Sequence, residues 1–230
     1  MMESGHEYKK KYRIIRPSVV NELVHGTTVS RLAYHVGREM GFTEEECHDL
    51  AVAGFLHDIG KLELAKYVRG HEDETLIIQE MRYVRQHSRL GADILKKKGY
   101  SQKIVDMVKF HHENCDGSGY PMNLSREDIP IGSRILRVCD VFAALTTDRP
   151  YRRGFDVDTA MEMMIDESKI YDIQVFLAFM RVVHSDHLQE ILDTEELEAE
   201  LSQMAAEGSF PVKELQESGE DEREGQEVKV

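Results

Sequence analysis

Apolar residues recur along this chain at intervals of three and four, and strand-like alternation is hard to find, so the pattern predicts helices nearly throughout. From Pro17 to about Gly41, the residues Val20, Leu23, Val24, Leu32, Ala33, Val36 and Met40 fall on one face of a long helix. Thr43 with Glu46 has capping-box spacing, and the helix it opens, buried through Leu50, Ala53, Gly54 and Leu56, is expected to end near Gly60. A third helix is predicted from Glu74 to Lys98, stopped by Gly99, and a fourth begins after Ser101 and runs out at His111 and His112. Pro130 opens a fifth, whose inward Ile135, Leu136, Val138, Val141, Phe142 and Leu145 bring Asp140 to its middle before Arg149-Pro150 closes it. Asp156 to about Ile170, Ile173 to Val183, and a charged amphipathic stretch from Leu188 to Ala206 complete an all-α fold with one dominant core.

Charge changes the picture mainly at the ends. The formal net charge is -14, of which the segment from Asp193 to Val230, with 13 acidic and 3 basic residues, holds -10. A nearly neutral body lacks the concentrated basic face of a duplex nucleic-acid binder. Residues 208–230 carry few bulky apolar side chains and are expected to form an acidic disordered tail. Residues 1–16 form a basic arm whose lysines and arginines precede no secretion-type apolar stretch. Between them lie a main domain over 17–185 and the amphipathic segment 186–207. The longest uncharged apolar stretch, Ile173 to Met180, has eight residues, against about 20 for a spanning helix. No membrane span is expected, and the cytoplasm is the default compartment. Cys47, Cys115 and Cys139 are odd in number and form no C-x-x-C pair, which points to reduced thiols.

The densest chemistry lies in His57-Asp58-Ile59-Gly60-Lys61, where an imidazole and a carboxylate can approach one cation and Lys61 follows Asp58 by one helical turn. A second cluster reads His111-His112-Glu113-Asn114-Cys115-Asp116-Gly117-Ser118-Gly119-Tyr120-Pro121. Adjacent imidazoles at the end of an apolar helix need partners for their ring nitrogens, and the glycine-rich loop behind them suits a tight backbone path.

These two motifs resemble the signatures of the HD-GYP domain, a branch of the HD superfamily of metal-dependent phosphohydrolases. Other pieces fall in that family's order: His25 before Val29-Ser30-Arg31-Leu32-Ala33, His87 before Gly91 and Ile94-Leu95, and Asp140-Val141-Phe142 before Arg149-Pro150-Tyr151-Arg152. The resemblance covers about Pro17 to His184. It implies a bundle of five HD-core helices plus additional HD-GYP helices, enclosing two divalent metal ions. His25, His57, Asp58 and Asp140 would hold one ion, and Asp58, His87, His111 and His112 the other, with Asp58 shared. Imidazole and carboxylate donors suit iron or manganese first, other divalent ions next.

The implied activity is hydrolysis of cyclic di-GMP to linear pGpG or GMP by a bridging hydroxide that the two ions activate. Lys61 would meet a phosphate oxygen, and Tyr120, Arg149 and Arg152 would contact the substrate. Two rivals stay open: a phosphohydrolase for cyclic GMP-AMP or a linear nucleotide, and a catalytically silent module that binds nucleotide or a diguanylate cyclase partner. A homodimer is also open. No sensor segment is read before Pro17, so the input is expected from metal redox state, substrate level, the tail or a separate protein. Three positions depart from the family pattern. Asn21 stands where some members have a glutamate for a third metal, Ser88 stands where proline is common, and Ala143 replaces an aspartate, which suggests one polar contact fewer on the substrate side.

Overall fold

The computed structural model describes residues 19–68, 84–148 and 153–207, and every named element among them is helical. The basic arm, the first part of the predicted third helix, residues 149–152 and the acidic tail lie outside the described residues. Helix α1 (Val19–Glu39) is the longest, and α2 (Glu44–Leu56) starts at the capping box, with Thr43 Oγ1 accepting from Glu46 N and Glu46 Oε2 accepting from Thr43 N. Then come α3 (Ile59–Val68), α4 (His87–Lys97), α5 (Gln102–Phe110), α6 (Ile131–Thr146), α7 (Val157–Asp166), α8 (Ile173–Val183), α9 (Leu188–Leu192) and α10 (Glu195–Ala206).

The structure interrupts the predicted helices at several places: the predicted third helix turns at Arg85 and Gln86 before α4 begins at His87, and the helix predicted to about Ile170 ends at Asp166, followed by a short 3-10 turn at Ser168–Ile170. The second helix stops at Leu56, short of Gly60, because His57 Nδ1 donates to Gly54 O at 2.7 Å and takes the carbonyl that a further turn would use. The chain turns through His57 and Asp58 and starts α3 at Ile59. The amphipathic stretch from Leu188 to Ala206 is likewise two helices. Arg31 of α1 donates to Glu190 O and Asp193 O, at 3.2 and 2.6 Å, and so satisfies the carbonyl end of α9 before α10 packs back against α1.

The core sits on α1, which packs against α2, α6 and α8. Leu32 and Val36 of α1, Leu50 of α2, Ile135, Leu136 and Phe142 of α6, and Phe179 of α8 are fully buried together. Phe142 and Phe179 meet edge-on with centroids 5.1 Å apart. Asp172 locks α8 to this frame: Oδ1 caps the helix by accepting from Gln174 N and Val175 N, and Oδ2 pairs with Arg134 Nη1 of α6 at 2.6 Å.

Burial works against the Asp172 charge, but Arg134 and the two amides outweigh it and hold the carboxyl below its ordinary value. A carboxyl depressed in the folded state stabilises fully above the unfolded pKa near 3.9 and loses that contribution as pH falls toward the folded value. Asp172→Ala is expected to lower stability by about 1–2 kcal/mol at pH 7. The difference should shrink from about pH 4 downward. Urea titrations of both proteins at pH 7 and pH 3 check this, and equal midpoints at pH 7 would refute it.

Candidate metal centre

Five elements converge on one interior point. His25 comes from α1, His57 and Asp58 from the turn between α2 and α3, His87 from the first position of α4, His111 and His112 from the end of α5, and Asp140 from the middle of α6. Gly60 makes the closest of these approaches possible. A Cβ there would lie 2.0 Å from His87 O and 2.7 Å from Gly91 N, so α3 and α4 touch backbone to backbone, which sets Asp58 and Lys61 beside His87.

Asp58 lies between two groups of imidazoles. Its Oδ2 is 3.1 Å from His57 Nε2 and 3.9 Å from His25 Nε2, and its Oδ1 is 3.2 Å from His87 Nε2. On the first side, Asp140 Oδ1 lies 3.1 Å from His25 Nε2 and 3.6 Å from His57 Nε2. On the second, His87 Nε2 lies 3.3 Å from His111 Nε2 and 3.0 Å from His112 Nε2. The donor atoms of Asp58, His87, His111 and His112 are mutually within 4.8 Å, as are those of His25, His57 and Asp58.

The ring orientation follows from local backbone. His57, His87 and His111 each direct Nδ1 at the carbonyl three residues earlier, on Gly54, Val84 and Val108. A carbonyl only accepts, so Nδ1 carries a proton in all three and Nε2 is turned inward, the position from which a neutral ring offers its lone pair. This arrangement is the outer-shell anchoring that metal-binding imidazoles use.

The buried set fits divalent cations. His57 Nε2 and Asp58 Oδ1 are buried without a hydrogen-bond partner, with Asp58 Oδ2 3.1 Å from the one and His87 Nε2 3.2 Å from the other. His87 and His111, anchored through Nδ1, set Nε2 lone pair against Nε2 lone pair at 3.3 Å unless something positive lies between them, and His112 Nε2 lies 3.0 Å from His87 Nε2. Burial alone would depress His57, yet Asp58 and Asp140 overcome this and pull it up to about 10, so the carboxylates hold a proton where a cation would serve. Burial and the neighbouring imidazoles push His111 well below the ordinary value. Burial, with His87 and Arg137, takes His112 down to about 3, opposed by Asp140 and Asp58, so both rings keep free lone pairs. Burial also opposes ionisation of Asp58 and Asp140, and the surrounding imidazoles outweigh it, holding both carboxyls well below their usual range.

Lys61 lies at the mouth of this cluster, bonded to Asp58 Oδ2 and 3.3 Å from Glu22 Oε2. Burial lowers its pKa, but these two carboxylates outweigh it and push it up to about 12. The sequence reading took Asn21 as the loss of an acid and passed over Glu22, which sits one turn before His25 on the face that looks across to Lys61.

The loop after α5 is pinned from inside. Glu113, buried, accepts from Met122 N at 2.6 Å and Leu124 N at 3.0 Å. Gly119 passes so close that a Cβ would fall 2.3 Å from Asn114 N. Tyr120 N donates to His112 O, and its ring stacks on that of His112 with centroids 4.6 Å apart. Arg85 Cζ lies over the same ring at 5.4 Å, and Arg137 Nε donates to Asn114 Oδ1. Arg149 and Arg152 lie outside the described residues. Glu113→Ala would strand two amide donors, so a loss of about 2–4 kcal/mol is expected. Weakened amide protection at Met122 and Leu124 in hydrogen exchange would accompany it, and unchanged protection would count against the pinning role.

Ala143, one turn after Asp140 on α6, is fully buried in the core cluster. Ser88, in the first turn of α4, has a buried hydroxyl without a hydrogen-bond partner, at a place where proline would be tolerated. The thiols of Cys47, Cys115 and Cys139 are unpaired, and burial raises the pKa of each. A separate cleft of about 640 Å³ between α1 and the last two helices, lined by Arg31, His35, Ile191 and Leu197 among others, includes none of the seven candidate ligands. No helix among the described residues is long and apolar enough to cross a membrane.

Residues 9–175 match the HD domain family. The chain belongs to that family, and its His111-His112-Glu113 and Asp116–Pro121 motifs are those of the HD-GYP branch. It is 34% identical over 161 residues to the cyclic di-GMP phosphodiesterase PA4108 of Pseudomonas aeruginosa, a match covering 70% of this chain and 39% of that protein. It is 33% identical over 159 residues to the 3'3'-cGAMP-specific phosphodiesterase 1 of Vibrio cholerae, covering 68% and 37%. The chain thus spans about two fifths of the length of these curated relatives. Its fold is that of the V. cholerae cyclic GMP-AMP phosphodiesterase V-cGAP3, with a TM-score of 0.58 at 17% identity over 80% of this chain and 51% of that one.

Proposed function

We propose that this chain is a metal-dependent phosphodiesterase that opens cyclic di-GMP to linear pGpG, GMP or both, with two divalent ions, iron or manganese first. The observation that carries the reading is the position of Asp58, one oxygen toward His25 and His57 and the other toward His87, His111 and His112. One carboxylate can therefore serve two cations. His25, His57, Asp58 and Asp140 would hold one, and Asp58, His87, His111 and His112 the other. When bound, such a pair supplies activation of water at neutral pH and neutralisation of charge on the reacting phosphate. The chain supplies the rest. Carbonyl-anchored imidazoles hold their donors in fixed orientation, and Lys61 exchanges its carboxylates for a non-bridging phosphate oxygen as a point charge.

Cyclic GMP-AMP is the second reading, favoured by a relative of that printed specificity at nearly the same identity as the cyclic di-GMP enzyme. The cytoplasm is the proposed compartment, supported by three unpaired cysteines. A diguanylate cyclase and a second copy of the chain are the proposed partners. Exposed Ile173 and Leu177, one turn apart on α8, offer an apolar patch to such a contact.

The test is protein purified without oxygen, assayed for metal by elemental analysis, then incubated with cyclic di-GMP and with cyclic GMP-AMP while products are separated by chromatography. About two ions per chain with conversion of cyclic di-GMP is the expected result. Conversion of cyclic GMP-AMP alone moves the substrate to the second reading. Two ions without turnover of either refute cyclic dinucleotide hydrolysis and point to another phosphate substrate or a binding role, and no metal after reconstitution refutes the centre.

A further inference from the structure

The ring of Tyr120 is engaged twice. His112 stacks on it with 28° between the planes, and the guanidinium of Arg85 stands over it. An imidazole and a guanidinium thus meet the same phenol ring. The series runs outward from the centre, from His112 and Tyr120, both half-buried, to exposed Arg85. Both ends are tied to the same place. Arg85 precedes His87 by two residues, and Tyr120 N is bonded to His112 O.

This arrangement alters what Tyr120 can offer. With His112 stacked on the ring and Arg85 over it, the exposed group at this side of the mouth is the guanidinium. Its N–H groups lie in the guanidinium plane, and a cation–π contact with Tyr120 uses none of them as a hydrogen-bond donor to another residue. A guanidinium placed there is a fork of donors for two adjacent acceptors. Lys61 and the metal centre account for one phosphate of a cyclic dinucleotide, which leaves a second phosphate and two purines to be met at the rim.

Resting on the proposed function, we infer that Arg85 is a substrate-binding residue that meets the half of the cyclic dinucleotide not being cut. It donates through its fork to an acceptor pair, either the O6/N7 edge of guanine or the second phosphate. Tyr120 is its platform, and the His112–Tyr120–Arg85 stack couples recognition at the rim to the metal centre.

The experiment compares manganese-loaded wild type, Arg85→Ala and Arg85→Lys on cyclic di-GMP and on bis(p-nitrophenyl) phosphate, a diester with neither purine nor second phosphate. Arg85→Ala is expected to lower the ratio of kcat/KM for cyclic di-GMP to that for the small diester by about tenfold or more, mainly through KM. Arg85→Lys keeps the charge but not the fork, and should restore less than half of the loss on a logarithmic scale. Inhibition of small-diester cleavage by cyclic di-AMP separates the two sources. A Ki raised as much as the KM for cyclic di-GMP assigns the second phosphate, and an unmoved Ki assigns guanine. An unmoved ratio, including equal losses on both substrates, overturns the inference alone and makes Arg85 a prop for Tyr120. Wild type that cleaves the small diester but no cyclic dinucleotide overturns the proposed substrate and this inference together.

Discussion

Asp58→Ala is expected to empty the centre and abolish turnover while leaving far-UV circular dichroism near native. The two oxygens of Asp58 face different imidazole groups, at 3.1 Å to His57 and 3.2 Å to His87, so one truncation strips an anion from both sides. What remains on the second side is three imidazoles, two of them with depressed pKa values, which bind cations as neutral donors and cannot balance a double charge. Metal content is expected to fall from about two ions to well under one per chain, with at least about a thousandfold loss of cyclic dinucleotide cleavage. The helices persist because the core of Leu32, Leu50, Leu136, Phe142 and Phe179 does not include Asp58. Elemental analysis and rate measurement on the same preparation check both halves, and turnover surviving the substitution would refute the two-metal proposal.

Lys61→Ala should separate binding of metal from use of it. Lys61 is bonded to Asp58 but belongs to neither candidate ligand group, and it is partly exposed at the mouth. Metal content is therefore expected to stay near that of wild type. The rate should fall by about 10²–10³, the usual scale for losing one preorganised charge at a transferring phosphoryl group. The loss belongs in kcat, because charge on the phosphate oxygens is greatest as the bond breaks. Lys61→Arg would recover part of the rate, since the longer side chain carries the charge to a different point. A rate unchanged in Lys61→Ala removes this lysine from the site and makes its ion pair with Glu22 a fastening between α1 and α3.

Much of the architecture could be read from local signals. The capping box at Thr43, the serine cap at Ser101 and the apolar face of Ile173–Val183 mark three helix positions, because caps and periodicity act within one or two turns. The turn at His57 and Asp58 escaped that reading. Leu56 to Gly60 is compatible with a continuing helix, and only the bond from His57 to Gly54 O and the contact of Gly60 with His87 end it. The break at Asp193 escaped for a similar reason, since the arginine that caps it is Arg31, far away in sequence.

The candidate site divides in the same way. The seven ligand-type residues stand out in sequence because histidines beside carboxylates at helix ends demand partners. Glu22, Arg85 and Arg137 carry no such mark; a lone charged residue on a helix reads as solvated until a neighbour such as Lys61, Tyr120 or Asn114 faces it. Hydrophobic periodicity and the two histidine-aspartate motifs thus determined an all-helical chain of the HD-GYP kind with a metal-type donor set, because both are written in residue type and spacing. Only the tertiary structure decided that Asp58 stands between two groups of imidazoles, that Glu22 faces Lys61, and that Arg85 covers Tyr120. These relations join side chains from different helices, and their distances are set by packing of the core and by the backbone contact at Gly60, which no local pattern encodes.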